Sequence, residues 1–140
     1  MKLFLDTNVM IDLIIIRNPF YTTIAKIINI AEKNKIELFT SSLSFVNTFY
    51  VASKVNPKEL VLETLKKFRI ICNVSIIDEL NIDKSLISDF EDFEDAVQYN
   101  SAVYHDCDYI ITRDKKGFKS SKITVMTPEE FLVYFEKNQL

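Results

Sequence analysis

Apolar residues fall along this chain in two alternating periods. Residues 2–5 form a short apolar run closed by Asp6, the pattern of a buried strand. Asp6 or Thr7 can then cap a helix to about residue 16, and Asn18-Pro19 breaks it. Pro19 suits the first turn of the next helix, which runs to about residue 35 with Ile24, Ile27, Ile28 and Ala31 inward. Residues 36–40 read as a second strand with Ser41 or Ser42 as the following cap. Phe45, Val46, Phe49, Tyr50 and Ala52 have helical spacing within 43–54.

Asn56-Pro57 restarts the chain into an amphipathic helix ending near Cys72. Residues 74–77 form a third strand, followed by helical segments at 83–89 and 93–105. Residues 108–112 and 123–126 form the last two strands. Thr127-Pro128-Glu129-Glu130 opens a closing helix with a cap, a proline at its first position and acids in its first turn. The predicted order is β-α-α-β-α-α-β-α-α-β-β-α. Short apolar strands alternating with helices imply an α/β fold of three layers, with a central parallel sheet of about five strands.

Composition narrows the picture. A length of 140 residues with 48% hydrophobic content suits one domain over 1–140. One glycine and three prolines argue against disorder or a loop-rich β-sandwich. The net charge of −3 argues against a coat protein held to nucleic acid by phosphate contacts alone. It fits a metal-dependent enzyme, whose ions neutralise the acids they gather. Asp6 and Asp12 interrupt the apolar N-terminus, so it reads as neither signal peptide nor membrane span. Cys72 and Cys107 lie far apart with no C-x-x-C spacing, which suits reduced, buried thiols in a soluble cytoplasmic protein.

The acids carry the chemistry. Ligands of open parallel α/β sheets bind beyond the carboxyl ends of the strands. Asp6 ends the first strand, Asp114 follows the fourth, and Asp95 lies in the first turn of the helix feeding the fourth, with Asp92 three residues earlier. Carboxylates gathered at one rim repel unless a cation joins them, and hard oxygen ligands select Mg2+ or Mn2+. Such ions activate water and stabilise charge at a phosphate. Singly, each acid is also explained as a helix cap, a first-turn acid or a turn residue. No phosphate-binding glycine loop or G-x-S-x-G elbow competes, and a single His excludes a zinc site built on histidines.

These residues resemble the PIN-domain family nearly end to end. LFLDTNVMID resembles that family's first motif, which implies Asp6 as a metal ligand with Asn8 beside it. DFEDAVQYNSAVYHDCDYIITRDKKGF resembles its later motifs, which imply Asp95 and Asp114 as ligands and Thr112 as an auxiliary hydroxyl. One departure stands out. The family's second acid lies in a pattern like S-x-x-x-x-E, and in SSLSFVNTFYVAS the matching residue is Asn47. An amide brings no charge, and Asp92 is the acid expected to compensate. Short bacterial members resemble the toxin of a type II toxin–antitoxin pair (VapC-type). The resemblance therefore implies a ribonuclease acting on RNA, bound by an antitoxin and commonly a homodimer.

Arg113, Lys115 and Lys116, with Lys119 and Lys122 beyond them, are candidates to meet the RNA backbone; the plain alternative is a solvated loop. Phe45, Phe49, Tyr50, Phe90 and Phe93 suit core or interface better than base stacking. The rival to an enzyme is a PIN-like binding module weakened by Asn47, which would bind RNA or a protein. A phosphatase with an aspartate nucleophile needs D-x-D, whereas position 8 is Asn.

Overall fold

The computed structural model describes residues 1–139. It holds five strands, β1 (Lys2–Leu5), β2 (Glu37–Ser41), β3 (Asn73–Ser75), β4 (Tyr109–Ile111) and β5 (Thr124–Met126). The helices are α1 (Thr7–Ile14), α2 (Phe20–Asn34), α3 (Ser42–Ala52), α4 (Lys58–Ile71), α5 (Glu79–Leu86), α6 (Phe93–Tyr104) and α7 (Pro128–Asn138). The strands lie in the order β3-β2-β1-β4-β5, and every pairing is parallel. The order of elements is the one predicted, with a 3-10 turn (Lys115–Phe118) added between β4 and β5.

Side chains of successive strand residues face opposite sides, so a sheet covered on both faces splits its apolar residues between two cores. Leu3 and Leu5 of β1, Leu38 of β2 and Ile111 of β4 join the larger core with α1, α2, α4 and α7. Phe4, Phe39 and Ile110 point the other way and meet Ala102 of α6 and Phe118. α5 packs on α6. Three layers result.

Several boundaries differ from the periodic expectation. α1 stops at Ile14 because Ile16 takes a left-handed backbone with φ of 54°. The helix expected at 83–89 instead runs from Glu79 to Leu86, because the Asp78 side chain accepts the Asn81 amide and fixes its start upstream. The third strand is Asn73–Ser75 rather than 74–77. At the last helix, the Thr127 side chain accepts from the Glu130 amide while the Glu130 side chain accepts from the Thr127 amide, as the opening sequence predicts.

Phe45 and Phe49 pack against the larger core and Phe90 against the smaller, whereas Tyr50 and Phe93 are exposed. Cys72 and Cys107 are free and buried. Burial pushes each thiol up to about 12, which keeps them protonated and unreactive. Among the described residues, no helix is long and apolar enough to cross a membrane.

α7 closes the larger core through Phe131, which is fully buried between the sheet and α2. Truncation to alanine leaves a cavity that the sheet cannot collapse to fill. Phe131→Ala is expected to cost about 3–5 kcal/mol of stability, read from the urea midpoint with an unchanged slope. A loss below about 1 kcal/mol would mean that α7 is peripheral to the core.

Candidate active site

The carboxyl ends of β1 and β4 are neighbours in a parallel sheet, so residues that end these strands meet at one rim. Asp6 ends β1 and is nearly buried. Its Oδ2 accepts the Thr112 hydroxyl at 2.8 Å, and its Oδ1 accepts the Thr7 amide at 2.8 Å and the Gln98 amide at 3.3 Å. Burial pushes the Asp6 carboxyl above its usual range, these three donors pull it back, and the charge of Asp114 pushes it up again.

Gln98, fully buried on α6, ties the rim together. Besides Asp6, its Nε2 reaches Thr7 Oγ1 at 3.0 Å and Ser44 Oγ at 2.7 Å, and its Oε1 accepts the Ser41 hydroxyl. The Thr7 and Ser44 hydroxyls are bonded at 2.7 Å. A polar network thus joins the ends of β1 and β2 to α3 and α6, each group satisfied by another.

Across the β4 edge, Asn8 donates to Thr112 Oγ1 at 3.2 Å and accepts the Arg113 amide at 3.3 Å. Thr112 Oγ1 also accepts the Asp114 amide at 3.1 Å, and Asp114 accepts the Lys116 amide at 3.2 Å. Asn8 and Thr112 therefore shape the turn that carries Asp114.

Asp95 occupies the first turn of α6. Burial, followed by the charges of Asp6, Asp92, Asp114 and Glu94, pushes its carboxyl up to about 7. Gly117, the chain's only glycine, lies directly against it: a Cβ at 117 would collide with Asp95 Oδ2. The missing side chain is the room in which this carboxylate sits. A recess of about 400 Å3 opens there, lined by Asp92, Asp95, Asp114, Lys116, Gly117 and Lys119 among others.

Asp6, Asp95 and Asp114 are thus gathered at one rim, as their placement in the sequence implies. The other expected residues have mixed positions. Asp92 caps α6, its Oδ1 accepting the Asp95 amide at 3.1 Å. Asn47 on α3 donates to Glu94 Oε1 of α6 at 3.3 Å. Arg113 is engaged elsewhere: its Nε lies 2.6 Å from the buried Asp12 carboxylate, and its guanidinium stacks 4.2 Å over Phe20. Lys115 pairs with Glu130 at 3.0 Å. Lys116 and Lys119 face the recess.

The sequence pattern does not single out Gln98, Ser44 or Glu94; it marks Ser41 only as a helix cap, which it is, and Asp12 only as a break in the apolar N-terminus. Two signals were present. Gln98 lies three and four residues beyond Asp95 and Glu94, on the helix face they share, and Ser41, Ser42 and Ser44 are more than one helix cap requires.

The donors at the rim are hard oxygens, and burial followed by the repulsion of its neighbours pushes the Asp95 carboxyl up to about 7. A divalent cation suits both facts. Among the described residues no three acidic, His or Cys side chains converge into a ready-made cage for an ion.

The family model of the PIN domain matches residues 2–116. The chain belongs to the PIN-domain family. This PIN domain is 32% identical over 135 residues to the ribonuclease VapC1 of Aquifex aeolicus, with 93% of the chain and 92% of that protein covered, so it stands with the VapC-type members. Its fold is shared with VapBC2 of Rickettsia felis, solved with promoter DNA (TM-score 0.68, 17% identity, 91% of this chain and 98% of that one). It is shared too with a toxin–antitoxin complex from Klebsiella pneumoniae (TM-score 0.68, 23% identity, 91% and 98% covered).

Asp95 gives the PIN domain a pH signature. Its folded pKa of about 7 lies above the ordinary 3.8, so the folded state holds this proton more tightly. That contribution is fully present below about pH 4 and is lost as pH rises to about 7. With chelator present, the stability of wild type relative to Asp95→Asn is expected to fall from pH 4 to 7 and level off above. Urea titrations across that range read the difference, and a flat difference would refute the crowding of Asp95.

Proposed function

We propose that this PIN domain is an endoribonuclease, the toxin of a toxin–antitoxin pair, which hydrolyses RNA phosphodiester bonds at a carboxylate-held Mg2+ or Mn2+ site. The observation that carries it is the placement of Asp6, Asp95 and Asp114 at one sheet rim, where burial and then the charges of Asp6, Asp92, Asp114 and Glu94 push Asp95 up to about 7. The 32% identity to the ribonuclease VapC1 points the same way.

In this reading Asp6, Asp95 and Asp114 hold the ion, and Asp92 adds negative charge beside them. A divalent ion bound there lowers the pKa of a water nucleophile and stabilises charge building at the phosphate. Thr112, Thr7 and Gln98 fix the Asp6 carboxylate through 2.8, 2.8 and 3.3 Å bonds, so that it keeps one orientation. Asn8 and Thr112 hold the Asp114 turn. Lys116 and Lys119 on the recess wall attract the RNA backbone. Lys115 adds to that field from its pair with Glu130, and Arg113, tied to Asp12, holds the loop rather than the phosphate.

An antitoxin partner, a homodimeric state and a cytoplasmic location complete the proposal. The solved neighbours of the same fold include toxin–antitoxin complexes. The alternative of a binding module without catalysis rests on Asn47, which leaves that position of α3 without a charge.

Mn2+ or Mg2+ is expected to raise the melting temperature by several degrees, because an ion bound only by the folded site stabilises it by mass action. Asp6→Asn should remove most of that shift and lower metal-dependent RNA cleavage by about a hundredfold or more. Equal responses to metal in the two proteins would refute the site. Metal binding with no cleavage of any RNA would favour the binding module.

A further inference from the structure

α3 and α6 face each other across the rim in two rungs. In the lower rung Ser44 of α3 meets Gln98 of α6 at 2.7 Å, fully buried, and Gln98 continues to Asp6 Oδ1. The upper rung lies one turn away on both helices. Asn47 is three residues beyond Ser44, and Glu94 is four residues before Gln98, so each shares its partner's helix face. Asn47 Nδ2 donates to Glu94 Oε1 at 3.3 Å and closes this rung at the open end of the site.

The geometry fixes where Glu94 points. Its face of α6 is the one that delivers Gln98 to Asp6, and its carboxylate accepts the Asn47 amide from α3. A first-turn acid with only a dipole role would extend into water towards the helix axis. Glu94, though exposed, is instead held by an amide from the facing helix. Asn47 in turn has the property the position requires. A carboxylate at 47 would confront Glu94 at hydrogen-bond range and repel it, whereas an amide donates to it.

We propose that Glu94, oriented by Asn47, supplies a fourth carboxylate of the metal site, taking from α6 the place that an acid at position 47 of α3 would occupy. The acid has moved across the cleft, and the amide is its complement rather than a deficit. Asp92, whose Oδ1 is spent on the Asp95 amide, serves the helix start.

This inference rests on the metal-site reading above, and calorimetry with Mn2+ separates the two. The proteins are wild type, Asp6→Asn, Glu94→Gln, and the double variant Asn47→Glu with Glu94→Gln, each also melted with chelator. Glu94→Gln should weaken Mn2+ binding by about tenfold or more, since affinity follows ligand charge, while its metal-free melting temperature stays level or rises because a repelling charge is gone. The double variant should recover most of the lost affinity by returning the acid to α3. If Glu94→Gln binds Mn2+ as wild type does while Asp6→Asn does not, the site stands and the role of Glu94 is overturned. A double variant no tighter than Glu94→Gln, or a metal-free melting temperature lowered by Glu94→Gln, also overturns it. Absence of Mn2+ binding to wild type removes the metal site itself, and this inference with it.

Discussion

A carboxylate removed from water must be compensated group by group, and the rim of this PIN domain is organised around that requirement at Asp6. Its two oxygens accept from Thr112 just after β4, from the Thr7 amide at the start of α1, and from Gln98 on α6. Each donor belongs to a different element, so the electrostatic demand of one side chain fixes the relative position of three. Gln98 extends the constraint to Ser41 and Ser44, which brings in the end of β2 and the start of α3. The buried polar network therefore works as a registration device. It specifies how α3 and α6 approach the sheet, which apolar packing alone would leave looser.

The remaining acids are then placed against an already oriented charge. Asp95 stands in the first turn of α6, and Gly117 gives way to its carboxylate. Asp114 sits on a turn tied down by Asn8 and Thr112. Among the described residues, Asp6, Asp92, Glu94, Asp95 and Asp114 form no ion pair. Of the nearby cations, Arg113 is committed to the buried Asp12 and Lys115 to Glu130, while Lys116 and Lys119 line the recess. For the proposed metal site this matters, because an ion pair with lysine or arginine would neutralise the carboxylates and leave a divalent ion little to bind. Lys116 and Lys119 stand at the wall of the recess, which is where the proposed function has them meet a phosphate backbone.

The Asp12–Arg113 pair shows a second use of buried charge. Asp12 is fully buried, and Arg17 approaches it at 3.5 Å in addition to Arg113. With Phe20 beneath the guanidinium, the pair fastens the end of α1 to the segment after β4. Breaking such a pair strands a charge in the interior, so its two partners stand or fall together.

The chain's own pattern determined the architecture. Apolar runs of strand length, helical periodicity between them and the cap chemistry at Thr127 specify a parallel α/β sheet with the observed order of elements, because these signals act within a few residues. The same locality made Asp6, Asp95 and Asp114 legible, since a strand end or a helix start can be recognised from its neighbours. Boundaries such as the start of α5 slipped where a cap at Asp78 outranked the periodicity. Only the tertiary structure decided which polar groups meet. That Gln98 serves Asp6 across 92 residues, that Asn47 faces Glu94 and that Arg113 turns to Asp12 depend on how α3, α6 and α1 pack against the sheet. Hydrogen bonds and charge pairs of that kind act over a few ångströms of space, and spacing along the chain carries no record of them.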